Sequence, residues 1–331
     1  MSKVKDTAYL ALTAMLRARE AKMLDRDRMD RMLNAATYSD AAKLLVDCGY
    51  EDMSGLDAKL LDAVLSARKQ GIFEEIYRMS PEKEMVDIFR LRYDYHNAKV
   101  VIKSVGVGVN GEHLFSDVGR VTGEQIALAC AEDQYRDIPE ALAKAIKEAK
   151  VMLAKTGNPQ MADFILDRAY FAEMTELAKK QDDAFITGYV KIMIDSANLR
   201  TAVRTVRMNK GQDFLLQALI AGGNVSPDKL AQAAVGDGLA ALFTATVLYN
   251  AAAAGVEAMK GGSMTKFELA CDNAVTAYLG KAKLISFGCQ PVVKYLALVE
   301  AEITAVRMLL SGKMAGIAPN VIRERLRDLD A

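Results

Sequence analysis

Residues 94–103 read DYHNAKVVIK and residues 195–204 read DSANLRTAVR, and the pattern the two stretches share decides the fold. The first copy places Asp94, Asn97, Lys99 and Lys103; the second places Asp195, Asn198, Arg200 and Arg204, 101 residues later. Asp and Asn are mediocre inside a helix because their side chains compete for the backbone. Keeping both, three residues apart on one face, points to hydrogen bonds with a neighbouring helix or with a turn. The bases four apart form like-charge pairs that disfavour an isolated helix. They imply carboxylate partners on another helix or another subunit. Struts within the chain and direct contact with a partner are both compatible with the pattern.

Working outward, each copy is followed by a glycine-bearing break and a fresh helix start, Gly119 to Ile126 in one and Gly223 to Leu230 in the other. A third, weaker copy runs Glu302-x-x-Ala305-x-Arg307, with Ala305 in the Asn position and Ser311 in place of the second base, followed by Ala318-Pro319-Asn320-Val321-Ile322. Copies about 100 residues apart predict similar helical lobes, as repeat architectures do. We divide the chain as 1–120, 121–225 and 226–331, with the N-terminal helices free to pack on the C-terminal lobe.

Helical periodicity extends beyond the copies. Leu10, Ala14, Leu16, Met23, Met29 and Leu33 recur at three-to-four spacing among charged residues, the stripe of an amphipathic helix. Ser39-Asp40, Ser80-Pro81-Glu82, Thr122-x-x-Gln125 and Ser226-Pro227-Asp228 read as helix starts, since a hydroxyl or acid satisfies first-turn amides and Pro suits the first helical position. Alternating apolar runs bounded by turn pairs are scarce. The fold class is all-α.

The 331 residues carry 43 Lys plus Arg and 43 Asp plus Glu. That balance lacks the footprint of a nucleic-acid binder or a polyacidic tail. Cys48, Cys130, Cys271 and Cys289 are dispersed, as reduced thiols of a cytosolic protein are. The first 20 residues hold no apolar secretory core. Gly238 to Val256 is free of charge, but Ala, Thr and Asn make it a poor membrane span. It reads as a buried helix or an apolar contact surface, with the interior favoured because large exposed apolar patches are uncommon.

Gly106-x-Gly108-x-x-Gly111 spells the dinucleotide motif, but that motif needs a strand before it and a helix opening at its end. Here a helical pattern precedes it, so an inter-helix loop is expected. No phosphate loop, nucleophile elbow or metal-ligand spacing occurs, and His96 and His113 are the only histidines. No catalytic residue, cofactor or metal is expected.

The chain resembles the C subunit of bacterial and archaeal V/A-type ATPases, similar to the eukaryotic V-ATPase d subunit. YDYHNAKVVIKS at 93–104 is similar to that family's Asp-Tyr-x-Asn-Leu-Lys helix, with Ala98 where Leu is usual. Asp195, Asn198, Leu199, Arg200 and Arg204 match its second such helix, and Glu302, Arg307, Gly312, Lys313, Ile322, Arg323, Arg325 and Leu326 match its ending. The opening segment to Tyr50 is similar as well. The resemblance implies three pseudo-threefold-related lobes forming a funnel, and a non-catalytic socket at the cytoplasmic face of the membrane. Its implied partners are the central stalk and the proteolipid rotor ring, between which it transmits torque for H⁺ or Na⁺ transport, with no nucleic acid or small-molecule substrate. Two other readings stay open on the residues alone: a helical nucleotide- or metal-dependent enzyme, and a generic helical scaffold.

Overall fold

The computed structural model describes residues 4–236 and 238–329. Among them the chain forms fifteen α-helices joined by turns and short 3₁₀ segments, with no strand.

Three long helices organise the packing: α5 (Lys83–Val107), α9 (Ala184–Arg207) and α14 (Cys289–Met314). Each is buried on most of its circumference, as a helix enclosed by others must be. Around α5 pack α4 (Ala58–Met79), α6 (Gly123–Glu132), α7 (Glu140–Thr156) and α8 (Pro159–Lys180). Around α9 pack α8, α10 (Gln212–Ala218), α11 (Pro227–Val235), α12 (Tyr249–Met259) and α13 (Met264–Leu279). Helix α14 collects both chain ends, touching α1 (Leu10–Glu20), α2 (Arg26–Asn34), α3 (Tyr38–Lys43), α4 and α15 (Pro319–Arg323). It also reaches α5, α9 and α13, so a continuous apolar core links all three groups. Phe89 on α5 stacks on Tyr189 of α9 with centroids 5.6 Å apart.

Two of the four expected helix starts hold and two do not. Thr122 caps α6 with both bonds of a capping box, and Ser226 caps α11 ahead of Pro227. At α3 the cap is Thr37, whose side chain accepts from Asp40 N–H, so Ser39 lies inside the helix. At Ser80-Pro81-Glu82 the helix begins later, at Lys83. Ser80 instead ends α4, and its hydroxyl donates to the Glu82 carbonyl. The first apolar stripe is rotated: Leu12 and Leu16 are buried, whereas Leu10 and Ala14 face solvent.

The charge-free stretch 238–256 is broken. A 3₁₀ turn (Ala240–Phe243) precedes α12, and the Thr246 hydroxyl donates to Phe243 O at 2.9 Å while accepting from Leu248 N–H at 3.2 Å. Leu239, Phe243, Leu248, Ala251 and Ala252 are buried, and Val247 and Tyr249 are exposed. None of the described helices is long and apolar enough to cross a membrane. The four cysteines are free thiols. The glycine motif does not follow a strand: Gly106 lies inside α5 and Gly108 ends it with φ 72°.

Candidate functional site

The repeated signature resolves into one device built three times. On α5, Asp94 is fully buried. Its Oδ1 accepts from the amides of Arg120 at 2.7 Å and Val121 at 3.2 Å, and its Oδ2 accepts from Arg120 Nε at 2.6 Å. One turn on, the Asn97 amide pairs both ways with the Ser116 backbone, donating at 2.9 Å and accepting at 2.9 Å. The pinned loop then enters α6 through its Thr122 cap.

On α9 the arrangement recurs. Asp195 accepts from Val225 N–H at 3.1 Å and from the Asn224 backbone and side-chain amides at 3.0 and 2.9 Å. Asn198 pairs with the Ile220 backbone at 2.7 and 2.9 Å, and Ser226 then caps α11. Close approach explains the glycine before each pinned pair, for a Cβ on Gly119 or Gly223 would collide with Asp94 Oδ1 or Asp195 Oδ1. Gly223→Ala is therefore expected to cost about 2 kcal/mol or more through displaced buried hydrogen bonds. The check is urea unfolding, with Gly55→Ala, where a Cβ meets only open space, as a near-neutral control.

The third copy departs from the sequence expectation. Glu302 on α14 does not hold the Ala318–Ile322 segment that follows it. Its Oε1 accepts from Leu24 N–H at 2.7 Å and its Oε2 from the Tyr50 hydroxyl at 3.0 Å, both supplied by the other end of the chain. Asp25 then caps α2. So Val121, Val225 and Leu24, all buried, each precede the cap of a short helix, and each donates its amide to a carboxylate on a long one. Glu is one methylene longer than Asp and needs no glycine opposite. Ala305, buried in the Asn position, leaves this copy without the amide pair. Burial pushes the carboxyls of Asp94, Asp195 and Glu302 upward, opposed at Asp94 by Arg120 and at the other two mainly by donated hydrogen bonds.

The bases find carboxylates four apart on a second helix of the same chain. Lys99 pairs with Asp167 at 2.5 Å and Lys103 with Asp163 at 2.7 Å, both on α8. Arg200 bridges Glu268 at 2.6 Å and Asp272 at 2.5 Å, and Arg204 joins Glu268 at 2.7 Å, on α13. Arg307 meets Asp62 on α4 at 2.7 Å. Arg120 also reaches Glu173 on α8 at 2.7 Å, a tie the sequence motif did not include.

Between the long helices lies a cleft of about 290 Å³, lined in part by Arg92 of α5, Met193 of α9 and Glu300 of α14. Each of these stands two residues before a signature acid. Arg92 bonds Glu300 at 3.0 Å, and the Tyr93 hydroxyl donates to the same carboxylate. A wider cleft of about 780 Å³ between α4, α5 and α8 shares Arg92, Tyr170 and Met193 with it. There the Lys69 ammonium lies over the Tyr93 ring, 4.5 Å from its centroid. Burial lowers its pKa to about 8 against the pull of Glu300. His96 contacts Leu114 O through Nε2 at 2.9 Å. No group of three or more His, Cys, Asp or Glu side chains among the described residues is placed to hold a metal.

The charged residues of this all-helical chain mostly cross-link its helices, around a cleft lined by both charged and apolar side chains. Residues 12–325 match the family model of the ATP synthase (C/AC39) subunit, and the chain belongs to that family. It is 24% identical over 326 residues to the C subunit of the V-type sodium ATPase of Enterococcus hirae, covering 97% of this chain and 98% of that one. It is 22% identical over 345 residues to the A-type ATP synthase C subunit of Methanocaldococcus jannaschii, covering 97% and 86%. A similar protein, the A-type ATP synthase C subunit of Thermococcus onnurineus, is 22% identical over 338 residues, covering 98% and 91%.

Proposed function

We propose that this chain is the non-catalytic socket of a V/A-type rotary ATPase. It joins the central stalk to the proteolipid rotor ring at the cytoplasmic face of the membrane and passes torque for ATP-coupled H⁺ or Na⁺ transport. Family membership supports a place in the complex. The observation that carries the mechanical role is the anchoring device itself: three long helices each lock a distant loop through a buried carboxylate, and cations on the same helices tie them to a neighbour. A part that transmits torque must resist shear between its helices, and bidentate or charge-assisted bonds to backbone resist it better than apolar packing alone.

We further propose three lobes arranged as a funnel, with divisions at the long helices rather than near residues 120 and 225. They are α5–α8, α9–α13, and α14–α15 completed by α1–α4. The face on which the cleft among α5, α9 and α14 opens is then the seat of the stalk foot. Asp94, Asn97, Lys99, Asp195, Asn198, Arg200, Arg204, Glu302 and Arg307 act as struts rather than contact residues. The test is capture by the purified chain of separately purified stalk subunits and detergent-solubilised ring. Both should be retained, and a ternary complex should form; retention of neither would end the proposal.

A further inference from the structure

Among the described residues the most exposed large apolar side chain is Leu284, at 91%. Its loop is nevertheless held firmly. It closes the 3₁₀ turn Gly280–Leu284 and leads through residues 285–288 into α14. Arg17 on α1 donates through Nη2 to the carbonyls of Ala282 at 2.9 Å, Lys283 at 3.3 Å and Ile285 at 2.9 Å. At the far end Gly288 takes φ 128°, a conformation open essentially to glycine. Phe287 is also exposed, and exposed Lys281 and Lys283 precede the leucine. A guanidinium nitrogen fixing the backbone beneath an exposed leucine is preorganisation, which lowers the ordering cost of binding.

Beside this loop is a cavity of about 310 Å³ whose lining includes Arg17, Glu20, Asp25, Lys283, Lys294 and Leu329. Lys294 is 4% exposed, yet its ammonium has a single long contact, 3.4 Å to Glu20 Oε2, an oxygen already bonded by Arg17 at 2.9 Å. An ammonium carries three donors, so Lys294 is poorly satisfied for its depth. Burial lowers its pKa. Three cations face two carboxylates in the lining, a surplus of one positive charge.

We propose that the loop 281–287 is a docking finger for a companion protein, which receives Leu284 in an apolar pocket and places an Asp or Glu beside it into the Lys294 cavity. The inference rests on the connector reading above, the companion being a subunit of the same ATPase. A lipid surface fits less well. A single myristoyl chain gives only marginal membrane binding, and one leucine with a partly exposed phenylalanine inserts less apolar surface still. A carboxylate at a fixed distance from an apolar contact is a feature of a folded protein surface.

The experiment titrates the full chain against purified stalk complex, against solubilised ring, and against vesicles containing phosphatidylglycerol. The variants are Leu284→Asp, Lys294→Met and, at the exposed Val151 of α7, the control Val151→Asp. Leu284→Asp and Lys294→Met should each weaken binding to one companion by about tenfold or more, with melting temperature retained and the control unaffected. Lys294→Met removes a buried charge at nearly constant length, so a folding defect is not expected; should it misfold, Leu284→Asp alone decides. Companion affinities within about twofold of wild type for Leu284→Asp would overturn the finger and leave the connector reading standing. Loss of vesicle binding with intact companion binding would assign the loop to lipid and overturn it too. A wild-type chain that binds neither companion would remove the connector reading itself.

Discussion

Ion pumping by reconstituted membranes is expected to fall to background when this protein is left out, while the ATP-hydrolysing head keeps turning over. If the chain's role is mechanical, the chemistry elsewhere does not need it, but rotation no longer reaches the ring. Adding the purified chain back should restore ATP-driven ion uptake in proportion to the amount bound. The isolated chain should show no ATPase activity and a helical circular dichroism spectrum, in line with fifteen helices and no described strand. The coupling should also depend on stiffness. The anchors run between distant segments, Asp94 to residues 120–121, Asp195 to 224–225 and Glu302 to Leu24, so loosening one loosens a whole group of helices. Uptake and hydrolysis measured on the same vesicles check this. Undiminished uptake without the chain would sink the proposal, as would intrinsic hydrolysis by the chain alone.

The all-helical class and the two strong copies of the anchor were legible because each rests on spacing within a single helix. Asp94 with Asn97, and Asp195 with Asn198, announce themselves as poor helix residues retained in a helix, and Gly119 and Gly223 mark the loops they pin. The third anchor was half legible. Glu302 stood in the right register, but its partner lies 278 positions earlier, and spacing along the chain cannot reveal a pairing between opposite ends. A local signal was present: an apolar residue directly before a capping residue, at Val121-Thr122, Val225-Ser226 and Leu24-Asp25. Arg120, Glu173 and the Arg92–Glu300 pair were invisible because their pairings join different helices and loops at no fixed spacing. Arg120, Glu173 and Glu300 are ordinary surface-type residues until packing largely covers them, and Arg92 stays exposed. Ser39 and Ser80 failed as helix starts because serine near a boundary serves either end; Ser80 closes α4 where its neighbours suggest a start.

Removing the three buried carboxylates should destabilise the protein in the order Asp94, Asp195, Glu302, for reasons the surroundings fix. Asp94→Ala leaves the amides of residues 120 and 121 without their acceptor and Arg120, whose side chain is only 16% exposed, with Glu173 as its remaining carboxylate. Breaking a buried pair on one side typically costs about 3–5 kcal/mol. Asp195 faces only neutral donors from Asn224 and Val225, so Asp195→Ala should cost about 2–3 kcal/mol. Glu302→Gln should behave differently from either. Its carbonyl oxygen can still accept from Leu24 N–H, and its amide can donate to the Tyr50 oxygen, so both bonds survive without the buried charge. Burial raises the Glu302 carboxyl above its ordinary value. The folded state therefore holds that proton more tightly than the unfolded chain does. The stabilisation this gives is complete below the unfolded pKa and is lost as pH rises through the folded one. Wild type should accordingly gain from acidification across the carboxylate range relative to Glu302→Gln, which lacks the titrating group, and the variant should match or exceed wild type at pH 8. Urea unfolding of the four proteins at pH 5 and pH 8 provides the comparison. If Glu302→Gln proves as damaging as Asp94→Ala at pH 8, the ionised charge itself holds the chain ends together, and Arg68, whose guanidinium lies over the Tyr50 ring, becomes the partner to remove next.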